Sequence, residues 1–292
     1  MGIPTTAVST ALLACLALTG CEAGTHAPRP SATSPAPSSA EKTSSAVKPP
    51  PTAFPEAATP RALAMLLARA ERALADETTP DKHRTGWARI QQQVYRELAD
   101  RPRWRATARD HVPGRFHAAY DLTLRAATSL SQLNSPRAGP PDDWRIRRPL
   151  PVAKLRGHYH AAQKQFGVPW QILAAINFVE TRFGRIHGDS HAGAQGPMQF
   201  MPSTWDVYGK GDVNNPRDAI LAAARYLTAS GAPDDMRGAL YAYNHSEHYV
   251  EAILAYANAM RRYPHYLDVY HRWQVYFSTP KGDVLLREGY GS

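Results

Sequence analysis

Residues 169–184 read PWQILAAINFVETRFG. At 100° per residue, Ile172, Leu173, Ile176, Val179 and Phe183 fall within an arc of roughly 120°, which predicts an amphipathic helix. Gly167 closes the helix before it, Pro169 stands in its first turn and Gly184 stops it. Glu180 falls inside the apolar arc. Burying an unpaired charge is expensive, so the carboxyl must find a partner or take up a proton. A carboxyl in an apolar pocket has a raised pKa, and near neutral pH it is a usable general acid. Turned outward beside Arg182 or Arg185, it would be an ordinary surface carboxylate, and the helix alone leaves both readings open.

Immediately downstream, residues 190–205 read SHAGAQGPMQFMPSTW, small and Gly-rich and then abruptly amphipathic. Glycines let backbone approach a ligand closely. The amide of Gln199 both donates and accepts, which suits the amides and hydroxyls of a sugar. Trp205 and Tyr208 are placed either against sugar faces or in the core. Further on, Ala242-Tyr243-Asn244 is followed by Tyr249-Val250, offering a phenol and an amide to hold a carboxyl and an N-acetyl group.

Around this centre the pattern is helical. Val152 to Phe166 is one expected helix. Asn215-Pro216-Arg217-Asp218 starts another with a side-chain cap, a proline and an acid in the first turn. A further helix begins near Ser246 and turns Val250, Ile253, Leu254 and Ala257 inward. On the N-terminal side, residues 57–134 form a small all-α module. There Leu63, Leu66, Leu67, Ala70 and Leu74 recur at helical spacing behind a Thr59-Pro60 start, and further helices lie over Trp87 to Leu98 and near Phe116 to Leu133. Residues 135–151, rich in Pro and Arg, make a connector to the principal domain at 152–262. The extension at 263–292 carries Pro280-Lys281-Gly282-Asp283, consistent with a short β-hairpin.

The N-terminus has a different character. An apolar run from Ala11 to Leu18 reads as the core of a signal peptide over residues 1–20 and is too short to span a membrane. Residues 21–56 are Pro, Ser, Thr and Ala with few large apolar groups, too few to offset the entropy of ordering, and form a tether. The formal net charge of +9 favours polyanionic partners. No dense Lys/Arg block with interleaved aromatics points to nucleic acid. The chain has two cysteines, Cys15 and Cys21. Neither they nor the pairs His158/His160 and His245/His248 have metal-site spacing, and Gly209 to Asn215 is too short and too poor in carboxylates for a calcium loop. No metal or cofactor is expected.

Two resemblances follow from these residues. Leu18-Thr19-Gly20-Cys21 resembles the bacterial lipobox, which implies cleavage before Cys21 and a diacylglyceryl anchor on its sulfur. That would place the protein on the outer face of the cytoplasmic membrane. Glu180-Thr181, the stretch from Gly193 to Gln199, and Ala242-Tyr243-Asn244 with Tyr249-Val250 are similar, in order and spacing, to the successive motifs of the soluble-lytic-transglycosylase-type domain. Glu180 to Arg185 and Gln199 to Pro202 also resemble the membrane-bound lytic transglycosylase B branch. The resemblance covers about residues 152–262. It implies a mainly α, lysozyme-like fold of the goose-type lysozyme and lytic transglycosylase kind, acting on peptidoglycan glycan strands. The implied reaction cleaves the bond between N-acetylmuramic acid and N-acetylglucosamine without water and leaves a 1,6-anhydromuramoyl end.

By the same resemblance Glu180 is the catalytic acid and base, and Gln199, Tyr243, Asn244, Ser190, Met198 and Tyr249 bind substrate. The N-acetyl oxygen stands in for the second carboxylate of ordinary glycosidases. Thr181 stands where Ser is commoner, Pro197 where Leu is, and His245-Ser246 where Ala-Gly is. Two alternatives remain: a lysozyme-type muramidase with a second carboxylate at Asp189, Asp206 or Asp212, and a non-catalytic wall-binding lipoprotein.

Overall fold

The computed structural model describes residues 48–55, 59–133 and 135–292. The signal peptide, Cys21 and most of the tether lie outside the described residues. The first helix, α1 (Pro60–Ala75), is started by the Thr59 hydroxyl, which accepts from the Ala62 N–H at 3.2 Å. It packs on α2 (Asp81–Asp100) and on the short α3 (Arg105–His111), and α2 in turn packs on α4 (His117–Leu133). The connector contributes β1 (Arg145–Ile146).

The second group begins with α5 (Val152–Phe166), closed by Gly167 in the left-handed region at φ 74°. Next comes α6 (Trp170–Thr181), the helix of the opening sequence. Its first N–H is capped from the preceding helix, since Gln163 Oε1 accepts from Trp170 N at 2.7 Å. A short strand, β2 (Ile186–His187), pairs antiparallel with β1. The helices α7 (Pro202–Tyr208), α8 (Pro216–Ala229), α9 (Met236–Tyr243), α10 (Glu247–Arg262) and α11 (Tyr266–His271) complete the helical body. The Asn215 side chain caps α8 by accepting from the N–H groups of Arg217 and Asp218. The chain ends in an antiparallel hairpin of β3 (Val275–Thr279) and β4 (Gly282–Leu286).

One hydrophobic core runs through both helical groups. The helix α10 joins them, with α4 against one flank and α6 against another. Its buried face includes Ala252, Ala255, Ala257 and Ala259, and side chains this small let neighbouring helices approach closely. The opening sequence reads as a one-sided stripe, but α6 is buried almost all round, from Ile172 through Phe178. A helix that is apolar on every side belongs inside. Phe178 anchors it in an aromatic cluster, 5.1 Å from Tyr270, 4.8 Å from Tyr256 and 5.2 Å from Phe183 between ring centroids.

Two polar fixtures cross the core. Glu71 is buried without a cation, its carboxyl accepting from Tyr266 at 2.7 Å, Gln91 at 2.9 Å and Tyr95 at 3.3 Å. Burial raises its pKa, and the three donors oppose the shift. The neighbouring glutamines of α2 fix the C-terminal segment: Trp273 Nε1 donates to Gln91 Oε1 at 3.1 Å, and Gln92 exchanges bonds of 2.9 and 2.8 Å with the backbone of Gln274. The hairpin that follows is thereby held beside α2.

Candidate active site

The last turn of α6 is where its burial ends. Val179 and Glu180 are half-buried and line a cleft of about 470 Å3. The chain leaves the helix through three successive left-handed residues, Arg182 at φ 53°, Phe183 at 64° and Gly184 at 78°. Only the glycine adopts this conformation without cost, so the other two must be held. The Phe183 ring stacks on Phe178, and the Arg182 guanidinium lies 4.5 Å over that ring while donating to Phe178 O at 2.8 Å. Thr181 Oγ1 accepts from the Gly184 N–H at 2.9 Å.

Glu180 Oε1 accepts a 2.7 Å hydrogen bond from the Tyr249 hydroxyl. Burial pushes the carboxyl up to about 7, and the Tyr249 bond pulls the other way without cancelling it. Near neutral pH this group is therefore able both to give and to take a proton. Tyr249 itself is fully buried, and its hydroxyl is held well above the ordinary phenol range by burial and then by the charge of Glu180.

The Gly-rich stretch is a tight loop closed by paired backbone bonds between Gln195 and Phe200 at 2.8 and 2.9 Å. Within it Gly196 sits at φ 70°, and a β-carbon there would collide with Val213 O. Gln199 is left-handed at φ 51°, and its side-chain amide donates to Gly196 O at 3.0 Å. The loop is fastened to α6 at one atom: Pro197 O accepts from Thr181 Oγ1 at 2.7 Å and Asn177 Nδ2 at 2.8 Å. Tyr159 donates to Asn177 Oδ1 at 2.6 Å, completing a buried network. The next carbonyl, Met198 O, accepts from the Tyr243 hydroxyl at 2.7 Å. The Tyr243 ring lies parallel to Tyr249, with centroids 6.3 Å apart and planes 4° from coplanar. A continuous chain thus runs from Glu180 through Tyr249 and Tyr243 to the Gly-rich loop.

The expected site residues do not all stand at the surface of this chain. Met198 is fully buried, so its side chain belongs to the core and its carbonyl does the positioning. Tyr249 is likewise sealed and reaches the cleft only through Glu180. The Ser190 hydroxyl accepts from Ala192 N and Ala194 N and so shapes its own turn. Asn244 is half-buried at the end of α9, its backbone N–H on Leu240 O. Trp205 and Tyr208 are half-buried, Trp205 packing edgewise on Phe200 and Tyr208 lying against Tyr226. Asn177 and Tyr159 were missed. A lone polar residue in the apolar run from Ile172 to Val179 is the same inconsistency that singled out Glu180, and it would have found Asn177.

Of the carboxylates considered as second catalytic groups, Asp189 accepts from Gln195 Nε2 at 3.2 Å and Asp212 accepts from Asn214 N at 2.9 Å. Asp206 is exposed on α7. None of these lines the cleft that holds Glu180. Among the described residues, no group of three or more His, Cys, Asp or Glu is arranged to hold a metal, and no helix is long and apolar enough to cross a membrane.

Residues 158–265 match the family model described as Transglycosylase SLT domain. Over 113 residues the chain is 35% identical to the membrane-bound lytic murein transglycosylase F of Thiobacillus denitrificans, covering 36% of this chain and 24% of that protein. Over 108 residues it is 29% identical to the protein of the same name from Nitrosospira multiformis, covering 34% and 22%. The chain therefore spans about a quarter of the length of these curated relatives. Both are of the F type, whereas the motifs around Glu180 had also suggested the B branch. No solved structure gives a significant match. The fold is mainly α, and residues 158–265 are similar to the transglycosylase SLT domain.

Proposed function

We propose that the protein is a peptidoglycan lytic transglycosylase with Glu180 as its single acid/base. The glycosidic bond between C1 of N-acetylmuramic acid and O4 of N-acetylglucosamine breaks as Glu180 gives its proton to O4. The muramoyl 6-hydroxyl then attacks C1, its proton returns to Glu180, and a 1,6-anhydro ring closes without water. The observation that carries this reading is a half-buried carboxyl lining a cleft, protonatable near neutral pH and steadied by one phenol. Such a group can act on the leaving oxygen and be restored in the same turnover. Tyr249 orients the carboxylate, Tyr243 and the Met198 carbonyl hold the Gly-rich loop, and in this reading Gln199, Asn244 and Ser190 meet the sugars. The membrane-bound character named for the relatives supports an anchored protein. In this reading the anchor is a lipid on Cys21, and residues 21–56 give the catalytic body reach into the wall.

The test is digestion of purified peptidoglycan with mass analysis of the muramoyl ends. Anhydro ends, lighter by one water than reducing ends, are the expected product, and Glu180→Gln should release none while still binding strands. Reducing ends would instead make the enzyme a muramidase, and full turnover by Glu180→Gln would remove the carboxyl from the mechanism.

A further inference from the structure

Residues 48–55, the last part of the segment read from the sequence as a tether, are fastened to the helical body. Trp87 Nε1 donates to Lys48 O at 3.1 Å. Pro50 lies so close over Gly86 that a β-carbon there would collide with its ring, and Phe54 packs against the core. Thr59 then opens α1 four residues after Pro55. The first helix of the body is therefore also the one nearest in sequence to the proposed anchor.

The two faces of α1 are unlike. Its leucines and its one acid, Glu71, are buried. At 100° per residue Arg61, Arg72, Met65 and Arg69 fall within about 80° on the other side, and all four are exposed. Met65 stands in the middle of this stripe with 50% of its surface in solvent. Among the described residues none of the three arginines forms an ion pair. Acids on adjoining elements are Asp76 and Glu77 beyond the end of α1, Asp110 on α3, and Asp81 and Asp100 at the two ends of α2; none lies in the stripe. Over residues 59–133, 13 Lys and Arg stand against 8 Asp and Glu, so the surroundings reinforce the stripe's charge.

One unpaired arginine on a surface is an ordinary solvated charge. Three in a stripe around an exposed methionine match a surface that is anionic and also takes in an apolar side chain. The headgroup boundary of an anionic bilayer offers both, whereas a hydrophilic polyanion has no place for the methionine.

We propose that the Arg61, Met65, Arg69 and Arg72 face of α1 docks on anionic phospholipid. The proposal takes from the anchored reading above only the nearness of a bilayer. On that reading Cys21 carries the lipid, and 27 residue steps of about 3.5 Å cannot take Lys48 farther than about 95 Å from the membrane. The lipid then supplies retention, and the stripe fixes which face of the body meets the bilayer.

Flotation with vesicles tests the stripe apart from the anchor, using the full-length chain with Cys21→Ser, which cannot be acylated there. The vesicles are phosphatidylcholine alone or mixed with phosphatidylglycerol. The chain should prefer the mixed vesicles by about a hundredfold, about fivefold for each stripe arginine. Arg61→Gln, Arg69→Gln and Arg72→Gln together should remove most of that preference, while Arg61→Lys, Arg69→Lys and Arg72→Lys together should keep it. Taking the same charge from Arg115, Arg125 and Arg287, exposed elsewhere, should leave it within about threefold. Equal partition onto the two vesicles, or equal loss in the two neutralised triple variants, overturns the docking face. Binding to a soluble polyphosphate as tight as to mixed vesicles, and lost with the stripe, assigns the arginines to a wall polymer and also overturns it. Mass analysis of the wild-type chain from a bacterial host reads the anchor separately: an unacylated Cys21 with stripe-dependent vesicle binding rejects the anchor and supports the docking face.

Discussion

Glu180→Gln separates the burial of the proposed catalytic carboxyl from its chemistry. The pKa rises from 4.5 for a free carboxyl to about 7 in the fold, burial being the larger cause. Below about pH 4.5 the group is neutral in both the folded and the unfolded chain, and the fold bears no ionisation cost. As pH rises, the unfolded chain releases its proton first, and the fold loses relative stability until the folded group ionises near pH 7. The gap, 7 − 4.5 or about 2.5 pH units, corresponds to roughly 3 kcal/mol. Glu180 keeps some access to the cleft, and solvent screening places the expected value nearer 2 kcal/mol. Gln has nearly the same shape, never ionises and still offers an oxygen to the Tyr249 hydroxyl. The variant should therefore match wild type at pH 4 and exceed it at pH 8.5 by about 2–3 kcal/mol. For a chain of this size that is a rise in Tm of about 4–12 °C. Urea unfolding followed by tryptophan fluorescence at the two pH values reads the difference. An equal offset at both, or a wild type more stable at pH 8.5, would refute the claim that burial sets this carboxyl's pKa.

Other outcomes follow from the same contacts. Tyr249→Phe removes the bond that favours the charged carboxylate, so the alkaline limb of the kcat/KM profile should move to higher pH by roughly 1 unit; a downward move would contradict the assigned hydrogen bond. Thr181→Val leaves the Gly184 N–H without its acceptor and removes a donor from Pro197 O, so it should cost about 1–3 kcal/mol in urea unfolding and reduce strand cleavage, while Thr181→Ser keeps most of both. Gly196→Ala forces a β-carbon onto Val213 O at a left-handed φ. It should destabilise by about 2 kcal/mol or more, and a thermal shift near zero would mean that the loop has another accessible path.

What the sequence disclosed was local. Thr59-Pro60 and Asn215-Pro216 start helices because the cap, the proline and the first turn lie within a few residues of one another. The helix ending at Glu180 was legible for the same reason, but its environment was not. A stripe of apolar residues looks alike whether a helix lies on a surface or is covered by α10 and α5 on further sides. The left-handed Arg182 and Phe183 carry no signal of their own, since Phe178 and Thr181 hold them through tertiary contacts. Helices as short as Arg105–His111 and Tyr266–His271 are too brief to show a period. The cleft wall was the least visible part. It depends on Gln91 and Gln92 meeting Trp273 and Gln274 across about two-thirds of the chain's length.

The contact of α10 with α4 bears on how this protein could be cut down. A fragment trimmed to residues 158–265 would leave α10 bare along the flank that α4 covers. The uncovered alanines and neighbouring apolar side chains would then form a greasy seam prone to self-association. The matched segment is therefore not a detachable cartridge, and solubility requires the helices that precede it.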